Sequence, residues 1–484
     1  MAILNAPPSG VTVRMYRQGL GDCFLLAFPT DTGRPFYMLI DCGIARTLAP
    51  NHKGPNIKEV AEHVRDSTGG KIDLLVVTHA HWDHIAGFSP ARGAASVFQD
   101  MQIDQVWLPW TENPRDNQAT GHKKTVQKAH QALRAALNRA ANPASVQSIS
   151  SVLDFMGAKG DDVRAAMQVI AGLAKKGGPQ YLDPAQLHKP RTLPNVKARL
   201  YVLGPPRDVH RLHHMDPGKR ESYPGSGAAK TKGSALTSAQ AFLLGAHVEE
   251  GHELNDEEKE LRNLCYPFDQ KLRIPGTDAK KIDFFQTHYY GSPHESWRRI
   301  DDAWLGASEG LAAALDSYVN NTSLALAIEL PRSGHVLVFA ADAQMGNWSS
   351  WGDLTWEIVA DGNQAKTVKI QDLLERTVFY KVGHHGSENA SFKPYVDLMK
   401  RPELVAMLPV NEQDARANRW DKMPWPPLVK HLKTQDISAS PQRVMIKMDE
   451  FPTQKPKGMS DGDWKKFKKR YEEDRFYMQY TVTD

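Results

Sequence analysis

Residues 78–84 carry three histidines and one aspartate directly after an apolar stretch, residues 72–77. The ligand-type side chains of this run are His79, His81, Asp83 and His84. Neutral imidazole binds Zn²⁺, Mn²⁺ or Fe, and a carboxylate adds an oxygen ligand that can serve a second ion. The apolar, β-branched stretch predicts a buried strand, so these side chains would lie on the loop at its end. The spacing therefore predicts a metal site; the alternative is a histidine-rich surface loop.

Ligand-type residues also follow three other predicted strands. Asp41 follows the strand predicted over residues 36–40, and Asp342 follows a hairpin that ends near residue 340. The pair His384 and His385 follows a strand over residues 377–382. A single such residue is usually a turn residue or a satisfied polar group. Polar groups at several strand ends are instead typical of a functional site held by a rigid sheet.

The rest of the chain predicts alternating strands and helices with two long interruptions. A period-two pattern followed by a Gly-rich turn predicts a hairpin over residues 11–28, and helical spacing predicts a helix over residues 57–65. The predicted organisation is a domain over residues 1–450 with insertions at about 112–195 and 207–318, and a charged C-terminal tail at 451–484.

Composition narrows the class of protein. The net charge of +4 permits an anionic substrate without requiring one, and no basic, apolar leader or run of about 18 apolar residues is present. We therefore expect a cytoplasmic protein without a membrane partner; the sequence identifies no protein partner. The three cysteines have no CxxC spacing, and Cys23 and Cys42 lie in apolar runs, which predicts buried free thiols.

In this order, the ligand-type residues resemble the metallo-β-lactamase superfamily, whose signature contains HxHxDH, a later bridging Asp and a final His. The resemblance implies an α/β (α+β) fold, a four-layer αββα sandwich of two mixed sheets. It also implies a dinuclear centre of Zn or Mn. The implied metal ligands are His79, His81, Asp83, His84, Asp342 and one of His384 and His385. The first two would hold one ion, the next two the other, and Asp342 would bridge them.

The resemblance also implies the groups around the ions. We take His384 as the ligand and His385 as the substrate-facing donor or proton shuttle, with the reverse left open, because the spacing does not decide. The implied catalytic residues are Asp83, Asp342 and His385, and the implied supporting residues are Asp22, Asp41, Lys381 and Ser387. Candidates for a further superfamily histidine are His288 and His294.

A narrower resemblance is to the hydrolase domain of ComEC competence proteins, which is thought to degrade one DNA strand during uptake. Matching segments are residues 19–22, 321–324 and 381–387, the last reading Lys-Val-Gly-His-His-Gly-Ser. The chain departs from this pattern at Trp425, where the family has a histidine. It also has no predicted membrane span, so a transport role is not implied.

The resulting hypothesis is a metal-dependent phosphodiesterase or nuclease. A metal-bridging hydroxide would attack phosphorus in DNA or another nucleic acid, and no G-x-S-x-G nucleophile segment is present. Substrate contacts are predicted for Trp82, Arg211, Lys219 and Arg220. The basic tail around residues 464–470 is a weaker candidate for nucleic-acid binding, because acidic residues follow it. The alternatives are a hydrolase of small phosphoesters, similar to phosphorylcholine esterases, and a non-catalytic metal-binding regulatory module.

Overall fold

The architecture is taken from a computed structural model of the chain. The residues that it describes are 3–127, 161–212, 214, 221, 223, 272, 274, 276–292, 315, 318–359, 364–418, 420–434 and 443–484. Strands β1–β17 and helices α1–α13 are numbered in chain order within these residues.

The first sheet has eight strands in the order β16-β17-β1-β2-β3-β4-β5-β6. Neighbours from β16 to β3 are antiparallel, and those from β3 to β6 are parallel. The strands are β1 Val11–Tyr16, β2 Phe24–Phe28, β3 Phe36–Ile40, β4 Lys71–Val76, β5 Gln102–Pro109, β6 Gln180–Leu182, β16 Tyr471–Glu473 and β17 Tyr477–Val482.

The second sheet has seven strands in the order β15-β14-β13-β10-β9-β8-β7. Strands β10, β13, β14 and β15 are mutually parallel, whereas β7 to β10 are antiparallel neighbours. The strands are β7 Arg191–Thr192, β8 Arg199–Val202, β9 Leu326–Leu330, β10 His335–Phe339, β13 Thr377–Lys381, β14 Val405–Leu408 and β15 Val444–Lys447. A separate hairpin consists of β11 Thr355–Val359 and β12 Ala365–Lys369.

The helices are numbered in chain order. They are α1 Ile57–Thr68, α2 Trp82–Ile85, α3 Ala95–Asp100, α4 Asp161–Leu173, α5 Val209–Leu212, α6 Gly276–Ala279, α7 Asp283–Phe285, α8 Met345–Ser350, α9 Ile370–Leu374, α10 Lys393–Val396, α11 Glu412–Ala417, α12 Pro426–Thr434 and α13 Asp461–Arg470. Helix α1 begins at Asn56, whose side chain accepts from the backbone N–H of Glu59 while the Glu59 carboxylate accepts from that of Asn56. This reciprocal pair stabilises the helix start.

Three apolar cores separate four layers. The central core lies between the sheets and takes alternate residues of each strand, such as Val13 and Met15 of β1 and Leu200 of β8. A second core packs the outer face of the first sheet against α1, α3 and α4, and a third packs the outer face of the second sheet against α8, α9 and α12. The predicted fold class is confirmed: the protein has a mixed α/β fold with two large mixed sheets, consistent with a metallo-β-lactamase fold.

Two predicted peripheral regions contribute to the sheets. Residues 451–484, set apart from the sequence as a charged tail, contain α13, β16 and β17, and β17 pairs with β1 along its whole length. Residues 112–195, predicted as an insertion, contain β6 and β7. The tail pattern misleads because charged residues dominate residues 455–475, whereas the buried Met478, Tyr480 and Val482 lie in the uncharged stretch 476–483.

The chain divides into two compact units. The first comprises residues 1–121, 154–229 and 317–484 and contains both sheets; the second comprises residues 122–153 and 230–316. Both segments of the second unit fall within the predicted insertions. Its described part includes α6, α7 and a π-helical turn at Gln286–Tyr290.

Two expectations from composition can be compared with the described residues. Cys23 and Cys42 are buried free thiols, as predicted, whereas Cys265 lies outside the described residues. Over the ranges given above, the helices are too short or too polar to cross a membrane. A cytoplasmic location stays a prediction.

Candidate metal centre

The ligand-type residues leave the carboxyl ends of parallel strands. Asp41 follows β3, and the run from His79 to His84 follows its parallel neighbour β4. Asp342 follows β10, and His384 and His385 follow β13, which is also a parallel neighbour. Because parallel strands end at the same edge of a sheet, this topology gathers residues that are far apart in sequence.

The backbone at these strand ends is unusual. Among the described residues, five that are not glycine have a positive φ, and four of them are Asp41, Ala341, His384 and His385. A side chain in this left-handed region costs about 1–3 kcal/mol and persists where surrounding contacts enforce it. Such strain is typical of functional sites, and here it coincides with the ends of β3, β10 and β13.

Four buried side chains form a compact group of potential metal ligands: Asp83, His84, Asp342 and His385. His84 Nε2 lies 3.0 Å from Asp342 Oδ2 and 3.5 Å from Asp83 Oδ2. His385 Nε2 lies 2.7 Å from Asp83 Oδ2 and 3.6 Å from Asp342 Oδ2. Each histidine thus directs the same ring nitrogen at both carboxylates, which places two nitrogen and two oxygen donors around one point.

Asp41 fixes the orientation of His84. The Asp41 carboxylate accepts hydrogen bonds from the backbone N–H and hydroxyl of Thr78, at 2.8 and 2.7 Å. It also lies 2.8 Å from His84 Nδ1, which must donate because an ionised carboxylate only accepts. His84 therefore turns Nε2 toward Asp83 and Asp342. A carboxylate behind a ligating imidazole is a common device for fixing its tautomer.

A backbone carbonyl fixes the orientation of the His385 ring, as Asp41 does for His84. His385 Nδ1 lies 2.8 Å from the carbonyl oxygen of Pro409, which only accepts, so this nitrogen carries a proton. Nε2 then faces Asp83 and Asp342: it donates to these carboxylates when the ring is protonated, and it would offer its lone pair to a bound metal ion. His385 is thus oriented as a ligand of the four-residue group.

Unlike His385, His384 has both of its ring nitrogens in contact with side chains outside the four-residue group. Ser387 donates its hydroxyl proton to Asn389 Oδ1 at 2.9 Å, so the Ser387 oxygen accepts from His384 Nδ1 at 2.9 Å. His384 Nε2 lies 3.4 Å from the amide nitrogen of Asn320, which donates to it. Both ring nitrogens are occupied, and His384 lies outside the four-residue group. The geometry therefore favours the reverse of the assignment adopted from the sequence: His385 as ligand and His384 as a supporting residue.

His79 and His81 form a second pair of facing nitrogens. His79 Nε2 lies 3.1 Å from His81 Nδ1, and both rings are buried. The Thr78 hydroxyl donates to Asp41, so its oxygen accepts from His79 Nδ1 at 3.1 Å. His79 thus turns an unprotonated Nε2 toward His81. Ligand atoms in a tetrahedral zinc site are roughly 3.4 Å apart, so this spacing suits two donors to one ion.

Lys381 and Asp22 lie directly behind the four-residue group. The Lys381 ammonium is buried and lies 2.5 Å from Asp22 Oδ2, 2.9 Å from the Ala341 carbonyl and 3.4 Å from Asp342 Oδ1. Asp22 Oδ1 is 3.6 Å from His385 Nδ1. Lys381 therefore neutralises part of the carboxylate charge and holds one oxygen of Asp342, leaving Oδ2 toward the histidines.

The histidines divide into two electrostatic classes. Burial and the neighbouring His84 and His81 hold the pKa of His79 well below its usual value, and burial lowers the pKa values of His81 and His384 to about 4. Burial also disfavours the charged form of His84 and His385, but the surrounding carboxylates, chiefly Asp342, raise both pKa values. His79, His81 and His384, whose pKa values are lowered, are neutral at physiological pH, as metal binding requires.

The buried carboxylates also differ. Burial opposes ionisation of Asp342, yet His84, His385 and Lys381 hold its pKa well below the usual value. Burial likewise opposes ionisation of Asp83, whose pKa is lowered by His84 and His385. The pKa of Asp41 is raised, chiefly by burial. The surroundings thus favour the charged form more strongly at Asp83 and Asp342, the two carboxylates of the four-residue group, than at Asp41.

Two of the four predicted substrate contacts, Trp82 and Arg211, lie within the described residues. Trp82 is fully buried against α1 and α4 residues, with the Arg46 guanidinium 4.0 Å from its ring centroid. Arg211 forms an ion pair with Asp353 at 2.5 Å. Lys219 and Arg220 lie outside the described residues, as does His294. His288 is exposed, with its ring 5.0 Å from that of Phe284.

Three supporting residues escaped the sequence analysis. Thr78 joins Asp41 to His79, the Pro409 carbonyl orients His385, and Asn320 occupies His384. Thr78 adjoins the histidine run and could have been found from its position. The Pro409 contact involves only backbone oxygen, which leaves no sequence signal.

The donor set fits divalent metal ions. His84 Nε2, Asp83 Oδ1 and Asp342 Oδ2 are buried and make no hydrogen bond among the described residues, a costly arrangement unless another partner binds them. Mixed imidazole and carboxylate donors suit Zn²⁺ and Mn²⁺. Asp83, His84, Asp342 and His385 would hold an ion, and the facing nitrogens of His79 and His81 are two further potential donors.

Comparison with known families agrees with this geometry. Residues 17–96 match the family model described as the metallo-beta-lactamase superfamily, a span that contains Asp22, Asp41 and the run from His79 to His84. No curated protein matches the chain. Asp342 and His385 lie outside the matched span, so their convergence on Asp83 and His84 is independent support. The match, the two-sheet fold and the buried His/Asp cluster together support the metallo-beta-lactamase superfamily for this chain.

Proposed function

We propose that this protein is a metal-dependent hydrolase that cleaves phosphodiester bonds, with nucleic acid as its substrate. The observation that carries the proposal is the convergence of Asp83, His84, Asp342 and His385, each buried and directed at one point. Members of this superfamily are usually hydrolytic. Phosphodiester specificity is supported by the Gly-His-His-Gly-Ser segment, residues 383–387, which resembles phosphodiesterase-type members.

Bound divalent ions would supply Lewis acidity and a nucleophile derived from water near neutral pH. The chain contributes orientation. Asp41 and the Pro409 carbonyl hold the tautomers of His84 and His385, so that both present Nε2 to the same point. Lys381 holds Oδ1 of Asp342 and leaves Oδ2 toward the histidines.

A serine nucleophile is disfavoured at this site. Ser387 is the serine next to the paired histidines, but its proton goes to Asn389 and its oxygen accepts from His384. His384 therefore does not act as a base toward Ser387, which a serine nucleophile requires. The remaining route to hydrolysis is the one that the His/Asp cluster supports.

The test begins with metal content. We expect the purified protein, stripped by chelation and reloaded with Zn²⁺ or Mn²⁺, to bind divalent ions and to cleave single-stranded DNA, duplex DNA or both. A small phosphodiester, bis(p-nitrophenyl) phosphate, serves as the matched simple substrate. Cleavage of the small ester alone would favour a small-phosphoester hydrolase. A protein that binds metal but hydrolyses no phosphodiester would contradict the proposal.

A further inference from the structure

A groove of about 550 Å³ lies at one end of the second sheet. Its walls come from residues after β14, from α12 and the segment before it, and from residues in and after β15. The lining includes Glu412, Pro424, Lys430, Lys433, Lys447 and Phe451. None of these belongs to the candidate metal centre.

The groove opens at the same sheet edge as the metal centre. Strands β10, β13, β14 and β15 are parallel and adjacent, so their carboxyl ends share that edge. Asp342 and His385 follow β10 and β13, whereas Glu412 and Phe451 follow β14 and β15. Neighbouring strands are about 4.8 Å apart, which puts β15 roughly 10 Å from β13.

One wall of the groove touches the turn that carries His385. The backbone N–H of Trp425 donates to the carbonyl of Gly386 at 2.7 Å. A methyl group placed on Gly386 would lie only 3.0 Å from Pro424 Cβ, a groove residue. The segment 424–425 therefore connects the groove directly to the ligand turn.

The charge of the groove favours an anionic ligand. Lys447 lies 2.7 Å from Glu412, 3.2 Å from Glu450 and 3.4 Å from Asp449, so it is occupied by acidic partners and offsets part of their charge. Lys430 and Lys433 are exposed on α12, three residues apart, and within the described part of the chain neither forms an ion pair. The lining contains four bases and three acids, which leaves a net positive charge.

The groove also offers apolar surface. Phe451 is partly exposed, and the Arg17 guanidinium lies 4.2 Å from its ring centroid. Met423 and Val429 line the same groove. Basic side chains beside aromatic and aliphatic surface suit single-stranded nucleic acid, because the bases and sugars need apolar contact while the phosphates need cations.

We propose that this groove binds the single-stranded segment of a nucleic acid that extends from the scissile phosphodiester at the metal centre. Lys430 and Lys433 contact phosphates of that segment, and Phe451 lies against its bases or sugars. The inference rests on the proposed function, because it assigns the polymeric substrate of the same site. An acidic peptide is the competing ligand, and the link between the groove and the Gly386 turn through residues 424–425 gives it no comparable support.

Binding is tested without catalysis. The full chain in EDTA is titrated into fluorescein-labelled oligothymidylate, and anisotropy is followed at several salt concentrations. The double variant Lys430→Glu/Lys433→Glu is expected to weaken binding by about tenfold or more and to reduce the salt slope by roughly 1.4. The control Lys366→Glu/Lys369→Glu makes the same charge change on β12, at the same spacing and exposure, and should bind as wild type does.

Three results of this titration would overturn the groove assignment. Wild-type protein that does not bind the oligonucleotide excludes it, and so does equal weakening in both double variants. A polyglutamate peptide that binds in place of the oligonucleotide would assign the groove to an acidic peptide instead.

Cleavage assays distinguish a failure of this inference from a failure of the proposed function. In the metal-loaded protein, Lys430→Glu/Lys433→Glu should raise KM for the oligonucleotide and leave cleavage of bis(p-nitrophenyl) phosphate unchanged. An equal loss on both substrates would contradict a role confined to the groove. If wild type cleaves neither substrate but its binding still depends on Lys430 and Lys433, the proposed function fails while the nucleic-acid groove stands.

Discussion

His385 Nε2 lies 2.7 Å from Asp83 Oδ2, although the two residues are 302 positions apart in the chain. Asp83 follows β4 of the first sheet, and His385 follows β13 of the second. The contact therefore joins the two halves of the sandwich. It also separates His385 from its neighbour His384, whose ring is turned to Ser387 and Asn320.

The adjacent histidines should differ in their effect on metal binding. His385→Ala is expected to lose an ion from the four-residue group and to lower kcat/KM by roughly 100-fold or more, whereas His384→Ala should keep that ion. Metal stoichiometry by mass spectrometry and hydrolysis of a phosphodiester measure both effects. Thermal unfolding of each variant shows whether a loss reflects unfolding. Loss of the ion in His384→Ala alone would restore the assignment adopted from the sequence.

Asp342 should matter more to metal binding and hydrolysis than any other carboxylate, because its Oδ2 lies within 3.6 Å of Nε2 in both His84 and His385. Asp342→Ala is expected to abolish measurable hydrolysis and to reduce metal content. Asp353→Ala is a matched control, since Asp353 is exposed and pairs only with Arg211 among the described ion pairs. Wild-type activity in Asp342→Ala would contradict the metal-dependent mechanism itself.

Lys381 should stabilise the metal-free protein more than the metal-loaded protein. Its buried ammonium lies between Asp22 and Asp342, so Lys381→Met leaves buried carboxylates without a cation. Breaking such a buried pair costs about 3–5 kcal/mol, and a bound divalent ion would restore part of the missing positive charge. Denaturant unfolding with and without metal measures the difference. An equal loss of stability in both forms would contradict this charge-balancing role.

Asp41 should act through His84 rather than at the substrate. Asp41→Asn retains the shape of the side chain but weakens its hold on His84 Nδ1 and Thr78. Loss of a group behind a metal ligand typically costs 10–100-fold in metal affinity or activity. Competition with a metal-binding dye measures the affinity. Unchanged affinity together with lower activity would instead indicate a direct catalytic role.

The sequence was sufficient to predict the residues at strand ends but not their partners. Period-two and apolar patterns located β3, β4, β10 and β13, and strand ends converge whenever neighbouring strands are parallel. The choice between His384 and His385 was not predictable, because it depends on a backbone carbonyl at Pro409 and on positive φ angles at both histidines.

Three strands in the outer parts of the sheets, β6, β7 and β17, were also beyond prediction. Strands β6 and β7 have three and two residues, too few to show a period. Strand β17 pairs with β1, from which it is separated by almost the entire chain. Local composition cannot reveal such a long-range pairing, and the charged residues of α13 concealed the alternation of β17.

Stability should decline in acid partly through His63, a residue of α1 whose ring contacts the Tyr16 ring of β1 and stacks on Phe476. Burial, reinforced by Arg14, lowers the pKa of His63 to about 4, and its Nδ1 lies 3.1 Å from the Tyr16 hydroxyl. The unfolded chain has an ordinary histidine pKa near 6.5, so it binds a proton that the folded protein excludes.

Because the folded protein excludes this proton, the contribution of neutral His63 to stability is complete above about pH 6.5 and is lost as the pH falls toward about 4. His63→Gln should therefore show a shallower fall in unfolding free energy across this window than wild type. Urea unfolding at pH 7.5, 5.5 and 4.5, values chosen on either side of roughly pH 6.5, measures the difference. Parallel pH profiles for the two proteins would show that His63 is not the group that titrates.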